Sequence, residues 1–447
     1  MQEEQPDLNV NEHLESLDSL PVQARGGNVV GFVKEQINNI LRPGGISYYN
    51  TGKGRGYQAV VDMNGANGAF TEVQSAVNYV EQLGGGKVLV SVGTYVIDSA
   101  ITISTDGLEL IGEDRETSVI RLAPATGGVP FMVSVEASNV IISNVTFDGN
   151  KSNQSAGTHH VIGYDSPSEN LLVDSVNVVN QFGTGGVGLG VGGGRVLAYN
   201  CLFGTMDGFA VLSNSMDHSR FIACRAENVG YGFTLGVNNS AVACYVGTTT
   251  LGHGYSSDYV DSTFVSCVAE VCTGYGFEVN ESDVSVVNCI SRRNLGGGVR
   301  VQSGLYGVVT GCVIGDNLGT QVSFEVSNGA LTSNSIHYRN IATGKNLVVL
   351  DGVRHNVISG NALDISPSGT WADATYSGIL LTGTSTRNVV SNNTIDAALG
   401  TLNLAYGIRE NSSADDFNVF VGNVITGAGT ALGTQGASGT AGFNQTG

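Results

Sequence analysis

Short apolar runs recur along most of this chain at a nearly constant interval. Val196-Leu197-Ala198, Phe221-Ile222-Ala223, Ala241-Val242-Ala243, Phe264-Val265-Ser266, Val286-Val287-Asn288 and Val308-Val309-Thr310 each stand just before a cysteine. Those cysteines are Cys201, Cys224, Cys244, Cys267, Cys289 and Cys312, at intervals of 23, 20, 23, 22 and 23 residues. The same register extends outward through Asn144 and Ser175 on one side and Asn334, Asn361, Asn393 and Asn423 on the other, giving twelve turns of one repeat. A repeat of this length, with several short strands, period-2 alternation and frequent Gly and Asn, predicts an all-β chain wound as a single-stranded parallel β-helix. Successive coils sit about 4.8 Å apart, so twelve of them span on the order of 60 Å. Equivalent positions then stack in columns. The cysteines form an inward ladder, and asparagine suits its two ends because an amide can donate to one coil and accept from the next.

Before the repeats the pattern changes. Residues 1–26 are polar, and Val29 to Leu41 carries apolar residues at helical spacing up to Pro43-Gly44-Gly45, a helix-end signal. One amphipathic helix on an arm cannot bury its stripe alone, so residues 1–56 read as an attachment or oligomerisation arm. Tyr57 to Asp62 reads as a strand, Phe70 to Leu83 as a helix ended by Gly84-Gly85-Gly86, and Lys87 to Gly112 as short strands, with Gly93-Thr94-Tyr95 inside. This ordered set resembles the entry of the pectate-lyase-like right-handed β-helix superfamily. The resemblance implies a right-handed coil whose open end is sealed by the 70–83 helix, which would otherwise leave apolar core and strand edges exposed. Longer coils put loops at 152–168, 366–377 and 396–406. The expected domains are the arm at 1–56, the β-helix at 57–430 and a small polar tail at 431–447.

Composition narrows the function. Only 13% of residues are charged and the formal net charge is −19, which disfavours duplex nucleic acid and anionic membranes as partners. No apolar stretch reaches the length of a membrane span. The start of the chain, Met1-Gln-Glu-Glu, has no apolar signal core, so a leader is either already removed or not used. The laddered cysteines lack the close pairs of a zinc ribbon and read as buried free thiols. No acids are spaced as a Ca²⁺-binding loop, so no cofactor or metal is expected, apart from a structural or bridging Ca²⁺. The run Gly188-x-Gly190-x-x-Gly193 leads into a strand and not a helix, which argues against a dinucleotide fingerprint.

Candidate chemistry lies in the outward columns. A second passage recurs as Asp207-Gly-Phe, Tyr231-Gly-Phe, His253-Gly-Tyr and Tyr275-Gly-Phe. Aligned on its glycine, it stacks Asp207, Tyr231, His253 and Tyr275 in one strip, a candidate for acid/base and sugar-stacking work. One position after the Phe-type residue comes a further outward column, Ala210, Thr234, Ser256, Glu278, Arg300 and Ser323, in which Glu278 and Arg300 are expected to pair. Three residues past each cysteine another column holds Glu227, Glu270 and Arg292. Glu227 and Glu270 are two coils apart, near the carboxylate separation of inverting glycosidases, and Arg292 would hold Glu270 ionised. Trp371, in a loop, is a candidate sugar platform. The catalytic candidates are therefore Asp207, His253, Glu227 and Glu270, and the substrate-binding candidates Tyr231, Tyr275, Glu278, Arg300, Arg292 and Trp371. The recurrent passage resembles the mannuronan C5-epimerase and polysaccharide-lyase branch of the superfamily. There a Tyr-Gly-Phe leads directly into Asp-Pro-His, whereas here Tyr231-Gly-Phe leads into Thr234-Leu-Gly, so the resemblance implies the scaffold and not that chemistry.

Three functions are consistent with this reading. The first is a viral tail spike or fibre protein, a homotrimer joined to other virion tail proteins through residues 1–56, that recognises a cell-surface polysaccharide with or without depolymerase activity. The second is a secreted polysaccharide lyase, hydrolase or epimerase. The third is a non-catalytic surface adhesin. The corresponding locations are the virion tail or the extracellular space.

Overall fold

The computed structural model describes residues 57–65, 69–124, 131–164, 169–214, 218–338, 345–365, 376–396, 398–399, 402–434, 440–441 and 444–446. The expected helical arm at 1–56 and Trp371 lie outside the described residues. The rest is a right-handed parallel solenoid. Its three sheets, here A, B and C, hold sixteen, fifteen and fourteen strands, and neighbours in each sheet come from successive turns. One turn, for example, runs through Leu202–Gly204 in sheet B, Phe209–Ser213 in sheet C and Arg220–Ile222 in sheet A.

Period-2 alternation does what the sequence implies. In Leu108–Gly112 and Val322–Ser327 every second residue is buried and the intervening ones are partly exposed, because successive side chains of a strand point to opposite faces. Like residues stack inside. Phe233, Tyr255 and Phe277 lie one above another with ring centroids 5.5 and 4.8 Å apart and planes within 15° and 6° of parallel.

The entry is capped by helix α1, Val73–Gln82, which buries Val73, Ala76, Val77 and Val80. Polar groups on its other positions hold the edge strand Ile101–Ile103 and the turn after it. The Gln74 side chain accepts from the Thr102 N–H at 2.7 Å, and Glu81 accepts from the Ser104 and Thr105 N–H groups at 2.6 and 3.1 Å. An edge that would otherwise template foreign pairing is thus occupied.

Each coil must turn three times, and each corner interrupts the strand ladder. At the A-to-B corner one residue takes left-handed backbone geometry: Asn200, Ala223, Ala243, Ser266 and Asn288 have φ between 51° and 53°. The next residue is the ladder residue. All seven cysteines are buried free thiols. The Cys267 thiol, for instance, donates to the Ala241 and Val265 carbonyls at 3.3 and 3.4 Å, while the Cys289 N–H donates to the Cys312 sulfur at 3.4 Å. Burial pushes the thiols of Cys201, Cys244 and Cys289 upward and that of Cys272 up to about 12. At Cys312 the column changes chemistry. Its N–H donates to Asn334 Oδ1 at 2.8 Å. From there each asparagine Oδ1 accepts both the N–H and the side-chain Nδ2 of the previous one, through Asn361, Asn393 and Asn423 to Asn444, at 2.9–3.1 Å.

The N-terminal end of this ladder differs from expectation. Sheet B pairs Asn177 with Leu202 and with Thr146, so Val176 and Val145 occupy the column. Asn144 and Ser175 sit one residue earlier, with φ of 51° and 54°. They are corner residues, and apolar side chains fill the ladder there. Two other corrections concern length. The loop expected over 152–168 contains the sheet C strand His160–Tyr164. The expected polar tail carries Thr430–Gly433, Thr440–Ala441 and Gln445–Thr446, which pair in sheets C, A and B and so make a further turn. In the loop at 396–406, Ala398–Leu399 pairs antiparallel with Leu402–Asn403.

Two further amide ladders at the other corners have no periodic sequence signal. At the B-to-C corner the N–H of Cys272 donates to Asn294 Oδ1 and that of Asn294 to Asn317 Oδ1, at 2.8 and 2.9 Å. At the C-to-A corner the N–H groups of Gly329, Asn356 and Asn388 donate in turn to Asn356, Asn388 and Asn418, at 2.7, 3.0 and 3.0 Å.

Two outcomes follow. Asn361→Ala removes an acceptor for Asn334 and leaves buried donors unpaired, which costs about 1–3 kcal/mol for each group so stranded. Urea unfolding is expected to show a loss in that range, and a smaller loss for Asn361→Cys, since sulfur also accepts at this position in the thiol segment. A thiol reagent such as Ellman's should titrate none of the seven cysteines in the folded protein and all seven in denaturant, because reaction requires an accessible thiolate.

Candidate functional site

The outward face of sheet C collects most of the expected binding residues, in a frame shifted from the one glycine alignment suggests. Phe209 pairs with Tyr231, and Tyr275 with Gly297. The aromatic column is therefore Phe209, Tyr231, His253 and Tyr275, and Asp207 is two residues outside it. The reason is turn length. The column residues stand 8, 7, 9 and 8 positions past their cysteines, whereas Asp207 stands 6 past Cys201. Asp207 lies at the B-to-C corner, where it pairs with Lys151 Nζ at 2.7 Å and accepts from the Gly183 N–H at 3.1 Å. Its role is to tie down that loop.

The rings of this column face one another. Phe209 and Tyr231 are 4.4 Å apart with planes 12° from parallel, and His253 and Tyr275 are 6.0 Å apart at 19°. The Arg300 guanidinium covers the Tyr275 ring at 5.7 Å. One face of each ring is thus occupied by a protein neighbour. Sugar stacking on this strip would fall to ring faces outside these pairs. Glycine makes room for the rings: a Cβ at Gly252 or Gly297 would fall 2.2 or 2.4 Å from the Tyr231 or Tyr275 ring.

Beside this strip the next outward column is Leu212, Thr234, Ser256, Glu278, Arg300 and Ser323. Leu212 replaces the expected Ala210, which is buried. The expected Glu278–Arg300 pair is present, with Arg300 Nη1 3.6 Å from Glu278 Oε1. It belongs to a larger network. The other Glu278 oxygen lies 2.8 Å from His253 Nε2. Arg300 also holds Glu325 through two contacts, Nε to Oε1 at 3.2 Å and Nη2 to Oε2 at 3.3 Å, a bidentate geometry. His253 Nδ1 accepts from the Tyr275 N–H at 3.0 Å. The proton of the neutral ring therefore sits on Nε2 and is donated to Glu278.

Burial favours raising the Glu278 carboxyl, but the His253 hydrogen bond, the Arg300 guanidinium and the Asn280 side chain outweigh it, and the net shift is downward. Burial pushes the Tyr275 hydroxyl up against the opposing pull of Arg300. Two residues further along each strand runs a third outward row, which sequence reasoning missed. In it Asn280 Nδ2 donates to Asp258 Oδ1 at 2.6 Å, Gln302 donates to Asn280 Oδ1, and Glu325 closes the row. The signal was available as the period-2 continuation of the Glu278 column.

The remaining candidates lie on sheet B. Glu227 and Glu270 do share an outward column with Gly247 between them, and Arg292 follows Glu270. Glu227 is paired with Arg225. Glu270 is held by Arg292 at 2.9 Å and also by Arg293. The four catalytic candidates are thus divided between a corner, sheet B and sheet C. Among the described residues, no group of three or more His, Cys, Asp or Glu side chains is placed to hold a metal ion, and no helix is long and apolar enough to cross a membrane.

Residues 276–445 match the family described as right handed beta helix region. The chain is a right-handed parallel β-helix. No curated protein matches it. Among solved structures, the β-helix is similar to the Dettilon tailspike protein, with 15% identity, a TM-score of 0.52, and coverage of 76% of this chain and 65% of that one. It is similar to the A-module of mannuronan C-5 epimerase AlgE6 from Azotobacter vinelandii, with 20% identity, 84% and 94% coverage and a TM-score of 0.49. It is also similar to DFA-IIIase from Arthrobacter chlorophenolicus A6 in complex with DFA-III, with 14% identity, 81% and 94% coverage and a TM-score of 0.45. At these identities the likeness is one of fold.

The lowered Glu278 pKa has a definite sign. The folded carboxyl binds its proton less tightly than the unfolded one, whose pKa is about 4.3. Its stabilising contribution is complete above the unfolded value and is lost as pH falls through the folded one. Glu278→Gln is therefore expected to show a shallower loss of stability below pH ~4.3 than the parent, read as the difference between their urea midpoints from pH 7 to pH 3.

Proposed function

We propose that this chain is the body of a spike- or fibre-type attachment protein of a virion, and that the outward face of sheet C binds a cell-surface polysaccharide. One observation carries the reading: Glu278, Arg300 and Glu325, with His253, form a continuous recessed polar row across successive coils. Glu278 is only 9% exposed although it points outward. Carboxylates, a guanidinium and amides at fixed spacing on a rigid sheet suit a polyhydroxyl ligand, because each can make paired hydrogen bonds. The arrangement favours binding over cleavage. Glycoside hydrolysis needs one protonated carboxyl as acid, whereas Glu227, Glu270 and Glu278 are each held by cationic or donating neighbours. Both His253 nitrogens are engaged as well. Attachment and trimerisation are assigned to residues 1–56.

The full chain is expected to bind at least one member of a broad polysaccharide panel in a surface-capture assay, and to sediment as a trimer. Gln302→Ala and Arg300→Lys should each weaken that binding about tenfold, or ~1.4 kcal/mol, the first because it frees Asn280 and the second because lysine loses the bidentate fork that positions Glu325. New reducing ends or unsaturated uronates released from the bound polymer would move the assignment to a depolymerase. Binding indifferent to both substitutions would place the ligand elsewhere on the rod.

A further inference from the structure

The balance of charge and of hydrogen-bonding capacity on sheet C says which class of glycan it can hold. Across the coils of the polar row, Asp258, Glu278 and Glu325 supply three carboxylates, set against the guanidinium of Arg300. That guanidinium is already committed. It binds Glu325 twice, approaches Glu278 at 3.6 Å and lies over the Tyr275 ring. The donors nearby are committed too. His253 Nε2 serves Glu278, Asn280 serves Asp258, Gln302 serves Asn280 and the Ser323 hydroxyl serves Glu325. Each amide keeps a second N–H, but what the face has in excess is lone pairs, on carboxylates that accept from more than one direction.

Resting on the reading of sheet C as a glycan face, we infer that it takes a neutral glycan with free hydroxyl groups and rejects the uronate form of the same polymer. Sugar hydroxyls donate into the spare carboxylate lone pairs. A carboxylate in place of a primary alcohol brings an acceptor to an acceptor and a negative charge to a negative row, where the patch's guanidinium among the described residues, Arg300, is already paired with Glu325. The far field acts in the same direction, since the whole chain carries a formal charge of −19 and such a field lowers the local concentration of a like-charged polymer.

The test compares matched pairs. A glucan, a galactan and a mannan are each offered to the full chain in native form and after oxidation of the primary alcohols to carboxylates, at low ionic strength. The neutral polymer that binds is expected to lose about tenfold or more in affinity on oxidation. Part of the loss should return as salt is raised, because screening shortens the reach of the repulsion. Glu325→Gln, an exposed-side substitution that keeps shape, should narrow the gap between the two forms, and Glu278→Gln should do the same if it folds. An oxidised polymer bound as tightly as its parent, or more tightly, overturns the inference while leaving the glycan face standing. Failure of every polymer in both forms removes the inference together with the glycan reading. A gap that persists unchanged at high salt and in Glu325→Gln also overturns it, since the discrimination would then owe nothing to this charge row.

Discussion

A parallel solenoid satisfies its strand hydrogen bonds automatically, but it must bend its backbone three times in every turn. Each bend exposes N–H and carbonyl groups to a dry interior, where an unpaired group costs about 1–3 kcal/mol. The corners are therefore where this fold could fail, and the sequence spends its most distinctive residues there. Asparagine is used where the corner N–H needs a strong acceptor in the next coil, as at Asn334, Asn361 and Asn393. Cysteine is used where the sulfur makes weaker contacts to two carbonyls and fills space. Valine suffices at Val145 and Val176. The sheets between the corners are ordinary alternating strands.

That division explains what could be read in advance. The A-to-B ladder was legible because cysteine is rare and its interval is nearly constant, so the coil frame and the parallel winding followed from spacing alone. The helix cap was legible for the same kind of reason, an apolar stripe ended by three glycines. The other two amide ladders were not, because asparagine is common in this chain and the residues that form them, such as Asn294 and Asn317 or Asn356 and Asn388, lie at intervals that vary with loop length.

The candidate site shows the same limit more sharply. Glu278 and Arg300 were assigned as neighbours because both lie in regular strands whose register with the cysteines is preserved. Asp207 was placed wrongly because a turn of different length precedes it, and a two-residue slip moves a side chain from the face to a corner. The third row, Asp258, Asn280, Gln302 and Glu325, was within reach of the same period-2 logic. Ring orientation was not. Whether tyrosines present faces or edges depends on how each ring settles on the coil above, and here the glycines at 252 and 297 let them stack along the column.

The amide column also bears on mechanics. In a solenoid the strands run across the axis and the hydrogen bonds run along it, so a pull from end to end loads those bonds in series, one coil interface at a time. At the A-to-B corner the interfaces from Asn334 to Asn444 carry amide bonds in addition to the three sheets, whereas the thiol segment has sulfur contacts at that corner. At this corner the C-terminal coils are accordingly tied more strongly under axial tension. The polar row of sheet C lies over the thiol-lined coils, so a ligand held there and drawn outward loads interfaces that lack this amide column.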